Sequence, residues 1–125
     1  MRYLVIAAGG VLGTLTRYFL SVWVNSTYWG KQFPYGTLIV NISGSFLIGL
    51  IMGLSLQRAQ LHAYWQLLLV SGFCGAYTTF STFEFEMLQL MLKGQARLAL
   101  MNALASVLIG LLAVWGGWLL AQRIA

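Results

Sequence analysis

Charge is what this chain has least of. Only 7% of its 125 residues are charged, and Glu84 and Glu86 are its whole complement of acids against seven Lys and Arg. A soluble domain of average composition carries about a quarter charged residues. With 60% hydrophobic residues the chain cannot dress a water-facing surface, which excludes a soluble domain and places it in lipid. The basic surplus, formally +5, is scattered singly along the sequence. That distribution excludes a nucleic-acid footprint and suits residues flanking membrane spans. Cysteine is nearly absent too. Cys74 stands alone, so no intrachain disulfide can form, and it reads as a small apolar packing residue. The one histidine, His62, makes no metal-ligand cluster and reads as a solvated residue at a span end. There is no nucleophile with a histidine partner, no pair of histidines and no phosphate-cradling glycine loop, which excludes an enzyme.

What the chain does have is long uncharged runs. Residues 32–57, 59–83 and 98–122 contain no Asp, Glu, Lys or Arg. Each exceeds the roughly 20 residues that a helix needs to cross a bilayer. A further span, near Tyr3 to Val24, carries Arg17 and reads as retained rather than as a cleaved signal peptide. The third span continues past Phe83 to about Leu92, too long for one straight helix. The expected architecture is therefore all-α: a single membrane domain over residues 1–125 with four transmembrane helices, the third broken mid-membrane near Gly75 to Thr79.

That break coincides with an unusual segment, Gly72-Phe73-Cys74-Gly75-Ala76-Tyr77-Thr78-Thr79-Phe80-Ser81-Thr82-Phe83. Polar, glycine-bearing backbone at membrane depth is tolerated only where protein or a water-filled pathway satisfies it. If the second half of the span is helical, Phe80 and Phe83 share a face, with Ser81 and Thr82 on the adjoining surface. Aromatic ring edges are electropositive, and hydroxyl and amide hydrogens donate to anions. Donors without fixed charge bind an anion weakly enough to release it, as conduction requires. The residues thus indicate a pathway for a small anion. Glu84 and Glu86 suit a wet helix segment, and Glu86 is spaced to line an aqueous vestibule. Arg17 either snorkels to the interface or concentrates anions at a pore mouth.

Small residues recur every four positions at Asn41, Ser45, Gly49 and Gly53, and again at Asn102, Ser106 and Gly110. Gly9 and Gly13 repeat the spacing in the first span, and such stripes let helices pack closely. Four spans put Arg2, Arg58 and Arg123 on one side and Lys31, Lys93 and Arg97 on the other. Three against three gives no Lys/Arg imbalance to set orientation. Both orientations are then open, and with them an antiparallel homodimer.

Three motifs now stand together: Gly9-Gly10-x-x-Gly13-x-x-x-Arg17-Tyr18; Gly36-Thr37-Leu38-x-Val40-Asn41-x-x-Gly44-Ser45-Phe46-x-x-Gly49; and the Gly72 to Phe83 segment. In this order they resemble the Fluc (CrcB) fluoride channels, with Thr14 where the first motif commonly has alanine. The resemblance implies a multi-pass channel of the bacterial inner membrane that exports fluoride passively. It implies an antiparallel, dual-topology homodimer with two pores. By motif position, Asn41, Phe80, Ser81, Thr82 and Phe83 would line the fluoride pore. Arg17, Glu86 and Ser106 would belong to its vestibule. A structural sodium ion at the dimer interface would be held by the Gly75 and Thr78 carbonyls. The expected partners are thus fluoride, membrane lipid and a second copy, with no nucleic acid. Two other readings fit less well. A small proton-coupled multidrug exporter needs a carboxylate in the first span, which has none. A non-transporting structural subunit leaves the polar break unexplained.

Overall fold

The computed structural model describes residues 1–27, 33–58 and 63–124, without the side chains of residues 57 and 58. Lys31, His62 and the side chain of Arg58, used above, lie outside the described residues. Helix α1 spans Arg2–Thr27 and α2 spans Tyr35–Arg58. A third rod begins with α3 (Ala63–Gln66), continues as a π-helical segment (Leu67–Cys74) and ends in the short α4 (Gly75–Tyr77). After an interruption α5 spans Ser81–Leu92, and α6 spans Ala96–Ile124. Among the described residues three helices are long and apolar enough to cross a membrane: Arg2–Thr27, Tyr35–Leu56 and Ala96–Ile124.

The relative directions of the helices follow from their close contacts. A side chain at Gly49 would strike the Val114 carbonyl, one at Gly53 would approach Ala121, and Gly110 faces Ser45. Both sequences ascend together, so α2 and α6 run parallel. The chain between them must therefore return across the bundle. Residues 63–92, interrupted as they are, make that return. In the same way Gly9 meets Leu68 and Gly72 while Gly13 meets Phe73, so α1 runs parallel to the third rod. Alternating directions of this kind fit four crossings.

These contacts explain the stripes. In lipid, apolar side chains gain little by leaving the solvent, so helices associate where small residues let backbones approach. The tightest contacts accordingly fall on glycines, while Phe19, Trp23, Leu100, Leu111 and Trp115 point outward. The turn from α5 to α6 is made by Gly94, the one described glycine with positive φ (76°). The Gln95 N–H bonds the Leu90 carbonyl at 2.8 Å and the Gly94 N–H bonds the Met91 carbonyl at 3.0 Å. This closes α5 with a left-handed residue that favours glycine.

Helical geometry in the third rod ends later than its glycine. Gly75 keeps φ −62° and ψ −36°, and its N–H bonds the Gly72 and Val70 carbonyls. Thr78 turns extended, at φ −82° and ψ 153°. The interruption covers Thr78–Phe80, beyond the glycine, and the backbone there makes a tertiary contact with α2.

Candidate functional site

That contact comes from Asn41, in the second turn of α2. Its Nδ2 donates to the Thr79 carbonyl at 2.9 Å, and its Oδ1 accepts from the Thr79 N–H at 2.8 Å. The side-chain amide thus pairs with one residue of extended chain as a neighbouring strand would. Two further devices hold the same place. Ser43 and Tyr77 share a hydrogen bond of 2.8 Å between hydroxyls, with Tyr77 buried and Phe73 stacked on it at 5.4 Å. Gly44 lies so close to Thr78 Cγ2 that no side chain fits between them.

The interruption changes where main-chain hydrogen bonds go. In an unbroken α-helix the Thr79 N–H would bond the Gly75 carbonyl, and the Thr82 N–H the Thr78 carbonyl. Here the first is given to Asn41, and the second to Thr79 Oγ1 at 3.4 Å. Gly75 and Thr78 therefore lose their helical donors. Main-chain oxygens of this kind are ligands for hard cations. Among the described residues no group of three or more His, Cys, Asp or Glu could hold a metal.

Around the interruption lies a cavity of about 350 Å³. Asn41, Gly75, Thr78 and Phe80 line it, together with Ser45, Val70, Cys74 and Thr79 among others. Four of the sequence-predicted site residues are thus brought to one recess. The others stand apart from its lining. Phe83 is buried beneath Phe80, with ring centroids 5.9 Å apart and planes tilted by 47°. Ser81 is exposed and Thr82 half-buried at the start of α5.

The vestibule candidates are also separate from that lining. Glu86 Oε2 accepts a 2.9 Å hydrogen bond from the buried Thr37 of α2. Ser106 donates to Asn102 Oδ1 at 3.3 Å. Arg17 is half-buried on α1. Among the described residues three buried side-chain polar atoms have no hydrogen-bond partner: Arg17 Nε, Glu86 Oε1 and Asn102 Nδ2. Each needs water, an ion or another chain to satisfy it.

Thr79, Tyr77, Ser43 and Thr37 were not among the sequence-predicted site residues. Thr79 and Tyr77 sit inside the polar segment, so composition pointed at them. Ser43 and Thr37 act across 34 and 49 residues of chain, a separation that periodicity within one helix cannot bridge.

Comparison with known proteins adds to this geometry. Residues 4–118 match the family model described as CrcB-like protein, Camphor Resistance (CrcB). A protein of Solibacter usitatus named fluoride-specific ion channel FluC is 50% identical over 123 residues, covering 98% of this chain and 100% of its own. A protein of the same name from Acidobacterium capsulatum is 44% identical over 124 residues, 99% of this chain and 98% of the relative. One from Moorella thermoacetica, named fluoride-specific ion channel FluC 2, is 46% identical over 121 residues and 97% of each chain.

Proposed function

The chain belongs to the CrcB-like family, and from that premise we propose that it is a fluoride-selective channel. It is a multi-pass membrane protein and not an enzyme. On this reading it exports fluoride passively across the bacterial inner membrane. It works as an antiparallel homodimer with two pores and a structural sodium ion between the subunits. The observation that carries the reading is the near full-length likeness to proteins bearing that channel's name.

The polar interruption then lies mid-membrane and supplies the pathway. A small, strongly hydrated anion sheds water only where other donors replace it. Asn41 spends one amide hydrogen on Thr79 and keeps a second. The Ser81 and Thr82 hydroxyls and the ring edges of Phe80 and Phe83 complete the set. Chloride, larger and weakly hydrated, gains less from donors so placed. Phe80 is 72% exposed on the single chain, which leaves it available to a second copy. Arg17, Glu86 and Ser106 form the wet approach.

The chain's own oxygens suit sodium, since the carbonyls of Gly75 and Thr78 are relieved of their helical donors. A twofold axis through the interruption would supply four such oxygens. A bound cation there raises the interior potential for an anion.

Fluoride efflux from liposomes containing the purified protein, with chloride efflux in parallel, tests the proposal. Rapid loss of fluoride with chloride retained is the expected result. No fluoride loss from reconstituted, folded protein overturns it.

A further inference from the structure

We propose that Asn41 is a positioning residue for the cation site, holding Thr79 so that the Gly75 carbonyl stays out of the helix. This deepens, and rests on, the reading of Gly75 and Thr78 as sodium ligands. A helical rod that has reached Tyr77 has an obvious next bond, from the Thr79 N–H to the Gly75 carbonyl four residues back. Asn41 removes that donor with Oδ1 at 2.8 Å and fixes the same residue a second time through its carbonyl at 2.9 Å. A single contact would leave Thr79 free to swing; two, on opposite edges of one peptide-bonded residue, set its orientation. Thr79 repeats the device one turn on, where its Oγ1 takes the Thr82 N–H away from the Thr78 carbonyl. Each proposed ligand carbonyl thus has one side-chain acceptor that diverts its competing N–H.

Gly44 and the Ser43–Tyr77 bond press α2 against the same place, but neither touches the two diverted donors. Packing and diversion are therefore separable by mutation. Losing a residue that orients a metal ligand typically weakens the metal by about 10- to 100-fold.

The experiment is radioactive sodium binding to purified protein at equilibrium, with folding followed by circular dichroism and size-exclusion chromatography. Asn41→Ala should bind sodium at least about tenfold more weakly than the parent while remaining folded. Thr79→Val, which keeps the Asn41 pairing but removes the second acceptor, should also bind more weakly. Ser43→Ala, which loses the hydrogen bond to Tyr77 but touches neither diverted donor, should keep the parent's affinity. Sodium binding by Asn41→Ala or Thr79→Val at the parent's affinity overturns the diversion and leaves the sodium site standing. If only one of the two variants folds, its affinity decides. Absence of sodium binding in the parent itself overturns the sodium reading, and the role of Asn41 with it.

Discussion

Phe80 and Phe83 are three residues apart and in ring contact, yet they have different surroundings. Phe80 is 72% exposed and lines the recess, whereas Phe83 is 8% exposed and packs within the chain. Substitution by isoleucine removes the electropositive ring edge from either while keeping an apolar side chain. Both variants should lose fluoride flux by about tenfold or more, the effect of about 1.4 kcal/mol on a barrier. Their stabilities should differ. Phe80→Ile should leave the thermal midpoint unchanged, while Phe83→Ile should lower it, with a loss of stability smaller than the about 3–5 kcal/mol typical of a buried Phe→Ala change. Efflux and thermal unfolding of the same two preparations check this. Unchanged flux in both variants would remove the ring edges from the mechanism.

Among the elements, α2 is the organiser. One of its faces packs along α6 through Gly49 and Gly53, and another meets the interruption through Asn41, Ser43 and Gly44. Neighbouring glycines make this testable. A side chain at Gly117 would run into the Phe46 carbonyl, whereas nothing lies within 4 Å of one at Gly116. The pair Gly9 and Gly10 on α1 differs in the same way, Gly9 facing the Leu68 carbonyl and Gly10 open space. Gly116→Ala and Gly10→Ala should be neutral or stabilising by up to about 1 kcal/mol, because alanine favours helix. Gly117→Ala and Gly9→Ala should destabilise by about 1–3 kcal/mol through overpacking against backbone. Thermal unfolding in detergent separates the two classes, and equal effects within a pair would mean that the helices do not meet there.

For the whole molecule the question is orientation. Arg2 opens α1 and Arg123 lies in the last turn of α6, while Lys93 and Arg97 flank the turn between α5 and α6. With three loop Lys or Arg expected on each side and Arg17 inside the first span, two added lysines should decide the outcome. Lysines at residues 95 and 96 should drive the C-terminus to the opposite side from that favoured by lysines at residues 122 and 124. Reporter fusions at the C-terminus read this directly. If function needs both orientations, each variant alone should lose flux and the two expressed together should regain it. Full flux from either variant alone would argue against the antiparallel dimer.

By itself the sequence determined the solvent and the helical class, and it singled out the polar segment. Those properties depend on counts and local runs: few charges, uncharged stretches of membrane length, and a single polar segment among apolar residues. The family resemblance assigned Asn41 and Phe80 to a pore and Gly75 and Thr78 to a separate cation site, and packing brings all four to the lining of one recess. The tertiary structure alone decided why the third rod stops where it does. Glycine at position 75 permits an interruption, but the backbone there stays helical and gives way only at Thr78. The deciding bonds come from Asn41, 38 residues earlier in the chain. A helix in lipid gives up a main-chain hydrogen bond only where another group takes it up, and which group that is depends on packing across the bundle.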